Sequence, residues 1–301
     1  MVARRTVLVA LAAAVVVGGA GLLASGGWWA TSPAAIAEPT SGYPVSIPQP
    51  VLRLAVAGDV GTADDAERAT AATADRVEQL GEFDALLLLG DNIYPDGDVS
   101  LAQQAVFGPF AGVLDGPTRL LAVLGNHDVR TADGEPQLSA FGMPGRWYHE
   151  RLGPVELIIL DSTRTQDPGQ LAWLQQVLAA PERATATFTV VAQHHPPFSA
   201  GYHGNHEPSQ RLLVPLFAQY GVDLVLAGHD HDYQRSTVQG GVTYVVSGGA
   251  ATLRRTGRKE FTAVSASVHH FVELAAYTDR LELRAVNQQG QVFDQVVLPA
   301  Q

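Results

Sequence analysis

From residue 51 onward the chain alternates short apolar runs with longer helical segments. Runs at 52–57, 85–89, 120–124, 155–160, 187–192, 223–226 and 242–246 predict strands. The segments at 63–80, 100–114, 169–178 and 208–220 predict helices between them. Strands alternating with helices of this length imply crossover units and a buried sheet that is largely parallel or mixed. The last stretch changes character. Residues 268–274, 281–286 and 292–298 predict three strands joined by short polar turns such as Gln288-Gln289-Gly290. That meander suggests a second sheet packed on the first. The expected fold is α/β, a four-layer α/β/β/α sandwich with two mixed sheets, and the sequence shows no internal repeat and no second globular domain.

The N-terminus has a different pattern. Arg4-Arg5 leads into an apolar run over 7–24, followed by small residues such as Ala35-Ile36-Ala37 that suit a cleavage site. This predicts either a cleaved signal peptide over 1–37 or an uncleaved membrane anchor, because the run approaches bilayer-spanning length. In the anchor reading Trp28 and Trp29 sit at the membrane interface. The paired arginines also resemble a twin-arginine signal. Residues 38–50 read as a linker rich in Pro, Ser and Gly, and 51–301 as one globular catalytic domain. The expected location is therefore outside the cytoplasm: secreted, periplasmic or on the cell surface.

Composition narrows the chemistry. A chain of 301 residues with 46% hydrophobic content can bury a large single core. Its net charge of −11 gives no global field for nucleic acid, so no nucleic-acid partner is expected. The longest basic run, Arg254-Arg255 with Arg258-Lys259, reads as a solvated loop. There is no cysteine, which excludes disulfides, thiolate metal sites, cysteine nucleophiles and a lipoprotein anchor. Any metal must be held by oxygen and imidazole nitrogen.

The residues that follow the predicted strands carry the chemistry. They are Gly58-Asp59-Val60-Gly61, Gly90-Asp91-Asn92-Ile93-Tyr94, Gly125-Asn126-His127-Asp128, Gln193-His194-His195-Pro196 and Gly228-His229-Asp230-His231. In open α/β sheets, ligands bind beyond the carboxyl ends of the strands, so these blocks converge on one rim. The glycines are expected to let the backbone turn sharply before each functional side chain. A lone Asp at a strand end is usually a turn former, but five such blocks in order are not explained that way. Carboxylate, amide oxygen and imidazole together suit first-row metals. Two ions about 3.5–4 Å apart clamp the attacking and leaving oxygens of a phosphoryl transfer and activate water without a protein nucleophile.

These blocks resemble the signature of the calcineurin-like metallophosphoesterases, and Tyr94 makes them similar to the purple acid phosphatases within that superfamily. The resemblance implies that Asp59, Tyr94 and His231 hold Fe(III), that Asn126, His194 and His229 hold Fe, Zn or Mn, and that Asp91 bridges the two ions. Tyrosine, with an ordinary pKa of about 10, ionises as a ligand only beside a strongly Lewis-acidic ion. Spacing around His194 and His203 is similar to the small tartrate-resistant members. That likeness implies that His127 and His203 contact substrate phosphate and help protonate the leaving group, with Asp128 hydrogen-bonded to His127. His195 and His206 are read as surface or supporting residues, and His149, His269 and His270 as structural. The short segment at 162–169 implies an uncovered site. The implied activity is hydrolysis of small phosphate monoesters by a monomer. The alternatives are a phosphodiesterase or nucleotidase on the same fold, and a catalytically silent binding module. A single-metal zinc hydrolase is disfavoured by Asp91.

Overall fold

The computed structural model describes residues 41–42 and 49–300, so the expected signal or anchor lies outside the described residues, as does most of the linker. The chain runs through β1 (Ser41–Gly42), β2 (Leu52–Ala57), β3 (Ala85–Leu88) and β4 (Arg119–Ala122) in one sheet. It then builds a second sheet from β5 (Tyr148–Leu152), β6 (Val155–Ile159), β7 (Phe188–Ala192), β8 (Leu224–Ala227), β9 (Tyr233–Ser236), β10 (Thr243–Ser247) and β11 (Thr262–Ala266). Finally it returns to the first sheet with β12 (His270–Ala276), β13 (Arg280–Asn287) and β14 (Gln291–Pro299). The spatial orders are β1-β14-β13-β12-β2-β3-β4 and β11-β9-β10-β8-β7-β6-β5. β2, β3 and β4 are parallel, as are β6, β7, β8 and β10, and the remaining pairings are antiparallel.

The two-sheet sandwich matches expectation, but the C-terminal meander does not form a sheet of its own. β12 pairs antiparallel with β2, so the meander extends the first sheet. The second sheet is built from the later parallel strands, and its antiparallel members were not anticipated. β5 and β11 are edge strands with only one covered neighbour, so they need no continuous apolar run. β9, with the sequence Tyr-Gln-Arg-Ser, is held by polar contacts instead. Tyr233 donates its hydroxyl to Asp294 on β14 at 2.7 Å, and Arg235 forks onto the same carboxylate at 2.6 and 2.9 Å. Within the stretch read as linker, Ser41–Gly42 pairs with Gln291 and Val292.

Six α-helices are described: α1 (Asp65–Glu78), α2 (Ala111–Leu114), α3 (Glu135–Ala140), α4 (Pro168–Ala179), α5 (Glu207–Leu212) and α6 (Val214–Gln219). The helix expected over 100–114 is broken into a 3-10 turn, a π turn and α2. Pro109 has no N–H to continue the ladder, and Gly108 closes the π turn by donating to Gln103 O at 2.8 Å. The helix expected over 208–220 divides at Leu213, two residues before Pro215, for the same reason. On β6, Leu157 and Ile159 join the large core shared with the first sheet, while Ile158 and Leu160 meet Leu174 and Leu178 of α4 and Phe217 of α6. Both faces of this strand are therefore covered, as a buried parallel strand requires. Among the described residues, no helix is long and apolar enough to cross a membrane.

Candidate metal centre

The five blocks follow β2, β3 and β4 of the first sheet and β7 and β8 of the second, all parallel within their own sheets. They meet at the seam where the carboxyl ends of the two sheets converge. Three of the functional residues, Asp59, Asp91 and His229, hold left-handed backbone conformations with φ of 57°, 52° and 71°. For non-glycine residues this is costly, on the order of 1–3 kcal/mol each, and such strain clusters at functional sites. The preceding glycines have a different role from the one expected. Only Gly90 among them takes a positive φ, at 89°. Gly228 is required by proximity, since a Cβ there would lie 2.6 Å from Asp59 Oδ2.

Backbone amides from neighbouring loops fix one oxygen of each acid. His229 N donates to Asp59 Oδ2 and His127 N to Asp91 Oδ1, both at 2.8 Å. The other oxygens point inward. Tyr94 OH lies 3.2 Å from Asp59 Oδ1, 3.1 Å from Asp91 Oδ2 and 3.1 Å from His231 Nε2. A phenol has one proton, so it cannot satisfy both carboxylates. On the other side of Asp91, His194 Nε2 lies 3.5 Å from Asp91 Oδ1, 3.2 Å from Asn126 Oδ1 and 3.3 Å from His229 Nδ1. His194 Nδ1 donates to Leu89 O at 2.9 Å, which leaves Nε2 as the nitrogen that would face a bound cation once its proton is displaced. Asp91 thus belongs to two clusters of converging lone pairs, and no Lys or Arg is among their members.

This donor set fits cations. Donor atoms held at about 2.0–2.2 Å from one ion are necessarily roughly 3 Å from one another, the spacing seen in both clusters. Asp59 and Asp91 are buried. Burial, followed by the charges of Asp59 and Asp91, pushes the Tyr94 hydroxyl far above its ordinary value. Burial opposes a charge on His194, but Asp91 and Asp59 outweigh it and push the imidazole up to about 10. Burial, then the neighbouring His194, His195 and His203 rings, drives His229 the opposite way, so it is a neutral donor. His231 Nδ1 is buried without a hydrogen-bond partner among the described residues.

All seven expected ligands are brought together. His127 and His203 flank them. His127 donates Nδ1–H to Pro95 O at 2.6 Å and packs its ring 4.5 Å from Tyr94, with Arg130 Nη2 3.3 Å from its Nε2. The His203 ring lies 4.2 Å from that of His229 and is exposed on its other side. Asp128, expected to hydrogen-bond the His127 imidazole, does not. It is fully buried and accepts from Gly125 N, Asn92 N, Ile93 N, Asn92 Nδ2 and Gln137 Nε2 at 2.8–3.2 Å. A 3-10 turn over 128–130 carries its side chain behind the site, where it ties together the loops bearing Asp91 and Asn126. Burial, then the charge of Asp91, pushes its carboxyl up to about 7.

His195 lies closer to the centre than a surface reading implies. Its ring sits 4.4 Å from His229 and stacks 4.8 Å from His206, and its Nδ1 meets Ser162 Oγ at 2.9 Å. Burial and the neighbouring imidazoles push it down to about 2, so it is neutral. Beside it, 162–167 with His206 and Pro208 line a groove of about 450 Å³. Asp230 also escaped sequence reasoning, although it stands between two expected ligands. Buried, it accepts from Ser199 Oγ and, at 2.8 Å, from His203 N, holding the loop that presents His203.

A family model for calcineurin-like phosphoesterases matches residues 52–233. Purple acid phosphatase 4 of Arabidopsis thaliana is 31% identical over 207 residues, covering 58% of this chain and 61% of that protein. Tartrate-resistant acid phosphatase type 5 of Homo sapiens is 30% identical over 242 residues, covering 66% and 73%. The solved purple acid phosphatase from yellow lupin seeds has the same fold, with a TM-score of 0.70 at 19% identity over 85% of this chain and 55% of that one. Because the matched span encloses the strands of both sheets that deliver the donors, the chain belongs to the calcineurin-like phosphoesterase family of metal-dependent phosphoester hydrolases.

Proposed function

We propose that the chain is an exported phosphomonoesterase of the purple acid phosphatase type, in which Asp59, Tyr94, His231 and Asp91 hold Fe(III). Asn126, His194, His229 and Asp91 hold a second ion, Fe, Zn or Mn. The observation that carries this reading is the place of Asp91 in both donor clusters, with the Tyr94 hydroxyl in one of them. Two bound cations supply Lewis acidity to the phosphoryl oxygens and activate water near neutral pH. The protein's own groups orient and protonate. His127, fixed through Nδ1 by Pro95 O, turns Nε2 toward the incoming phosphoryl group. His203, on the opposite flank, delivers a proton to the leaving oxygen. Asp128 and Asp230 hold the loops that bear these groups. Export rests on Arg4-Arg5 and the apolar run that follows them.

The deciding measurement is the visible spectrum of protein purified without chelator, taken with aryl phosphate hydrolysis between pH 4 and 9. A broad band at about 500–600 nm that disappears in Tyr94→Phe, with activity at acid pH, is the expected result, since a tyrosinate-to-ferric bond is its source. A colourless protein, active with added manganese or zinc and indifferent to Tyr94→Phe, would remove the ferric assignment.

A further inference from the structure

The basic run at 254–259 is a loop with Arg255, Arg258 and Lys259 exposed, as expected, but it is anchored to the walls of the site. Arg254 N donates to the carbonyl of His231 at 2.8 Å, and Ser267 Oγ donates to Arg254 O at 2.7 Å. Lys259 Nζ reaches across to Ser199 O at 2.8 Å, and Gly257 packs against Ala200. The strap is therefore laced to both the block that carries His231 and the loop that carries His203. Its guanidinium is placed with equal care. Arg254 Cζ lies 4.6 Å over the ring of Tyr202, Tyr202 meets His203 edge-on at 5.0 Å, and His203 lies on His229. A continuous chain of side chains thus leads from the metal centre to Arg254.

These arginines differ in their partners from those that are ion-paired. Arg119, Arg146, Arg151, Arg235 and Arg280 each meet a carboxylate. Among the described residues, no carboxylate pairs with Arg254 or Arg255. In a chain of net charge −11, two uncompensated guanidinium groups beside a phosphate-handling centre create a local positive focus. Stacking on Tyr202 covers one face of Arg254 and leaves its planar N–H edge free for the two-pronged binding that guanidinium gives to phosphate oxygens.

We propose that Arg254, seated on Tyr202, forms a second anion subsite that selects phosphoanhydrides and phosphate esters whose leaving group is or carries a further phosphoryl group. This rests on the phosphomonoesterase reading above, and the experiment separates the two. Full-chain enzyme loaded with metal is assayed on phenyl phosphate, inorganic pyrophosphate and a nucleoside diphosphate, as wild type, Arg254→Ala, Arg254→Lys and Arg255→Ala. In parallel, calorimetry gives Kd for methylenediphosphonate and methylphosphonate. For Arg254→Ala the ratio of kcat/KM on pyrophosphate to that on phenyl phosphate is expected to fall about tenfold, with a matching loss in the diphosphonate-to-monophosphonate affinity ratio. Arg254→Lys restores part of both ratios, and Arg255→Ala moves them less. The nucleoside diphosphate shows whether the nucleoside adds anything to the second phosphoryl. Ratios that stay constant, because both substrates lose equally or neither loses, overturn the subsite and leave Arg254 as a brace for His203. A wild type that hydrolyses no ester yet shows the shift in affinity ratio would sink the phosphomonoesterase reading and keep the subsite.

Discussion

The two sheets contribute opposite chemistry to one site. From the first come Asp59, Asp91, Tyr94 and Asn126, all oxygen donors; from the second come His194, His229 and His231, all imidazoles, with His195, His203 and His206 packed around them. The oxygen half is buried and concentrates negative charge, and burial first and that charge second make the Tyr94 hydroxyl hard to ionise without a cation. In the imidazole half burial, reinforced by the neighbouring rings, drives His195 and His229 toward their neutral, lone-pair-bearing forms. The contrast is one of hard anionic oxygen against borderline nitrogen, and each donor cluster draws on both: Asp59, Tyr94 and Asp91 with His231 in one, Asn126 and Asp91 with His194 and His229 in the other. The halves are also held differently. Amides fix the carboxylates, whereas ring packing and one carbonyl fix the imidazoles.

Asp91 is the residue that breaks the comparison, because it alone serves both donor clusters. Asp91→Asn is expected to lower turnover of an aryl phosphate about a thousandfold, with metal content by elemental analysis falling at both positions. Loss of only one ion would mean the clusters are independent. A smaller effect sharpens the contrast in scaffolding. Asp128 ties together the loops of the oxygen half through five donors, whereas Asp230 holds only the loop bearing His203. Asp128→Asn, which turns an N–H group against buried N–H donors, should cost about 2–4 kcal/mol, read as a midpoint shift in urea. Asp230→Asn should cost less and act mainly on kcat; equal losses of stability would erase the distinction.

The smallest effect is electrostatic and lies beside the oxygen half, where the loop after Asp59 enters α1. Burial, opposed by the hydrogen bond from Ala63 N, pushes Glu67 up to about 8. A carboxyl raised in the folded state binds more protons there than in the unfolded chain, so its contribution is full at low pH. It is lost as pH rises from the ordinary carboxylate value of about 4.3 through 8. Glu67→Gln is therefore expected to gain thermal stability relative to wild type between pH 5 and 8, by a few degrees at most. A gap that stays flat across that window would show that Glu67 is not buried as an acid.

The legible parts of this protein were those with a local cause. Strand cores such as 85–89 are continuous apolar runs, and the donors stand just after strand ends, so both could be placed by position alone. β9 was invisible because Tyr-Gln-Arg-Ser is no apolar run, and what receives it (β10, β11 and Asp294, some sixty residues on) is set by tertiary structure. The broken helices carried their own warning in Pro109 and Pro215. Asp128 shows a different limit, since adjacency to His127 in the chain says nothing of which way a 3-10 turn will send the side chain. The basic run at 254–259 is the loop its composition suggested, but only the bond from Arg254 N to His231 O places it beside the centre.

That the donors run from Asp59 to His231 and come from both sheets has a consequence for how the protein assembles. No half of the chain can gather a full set, so the site forms only when the sandwich has closed over contacts far apart in sequence. Ions that bind the closed form and not the open chain then stabilise it by mass action, in proportion to the logarithm of their free concentration. Resistance to unfolding in this protein should therefore track metal supply, making the catalytic centre a lock on the docking of its two sheets.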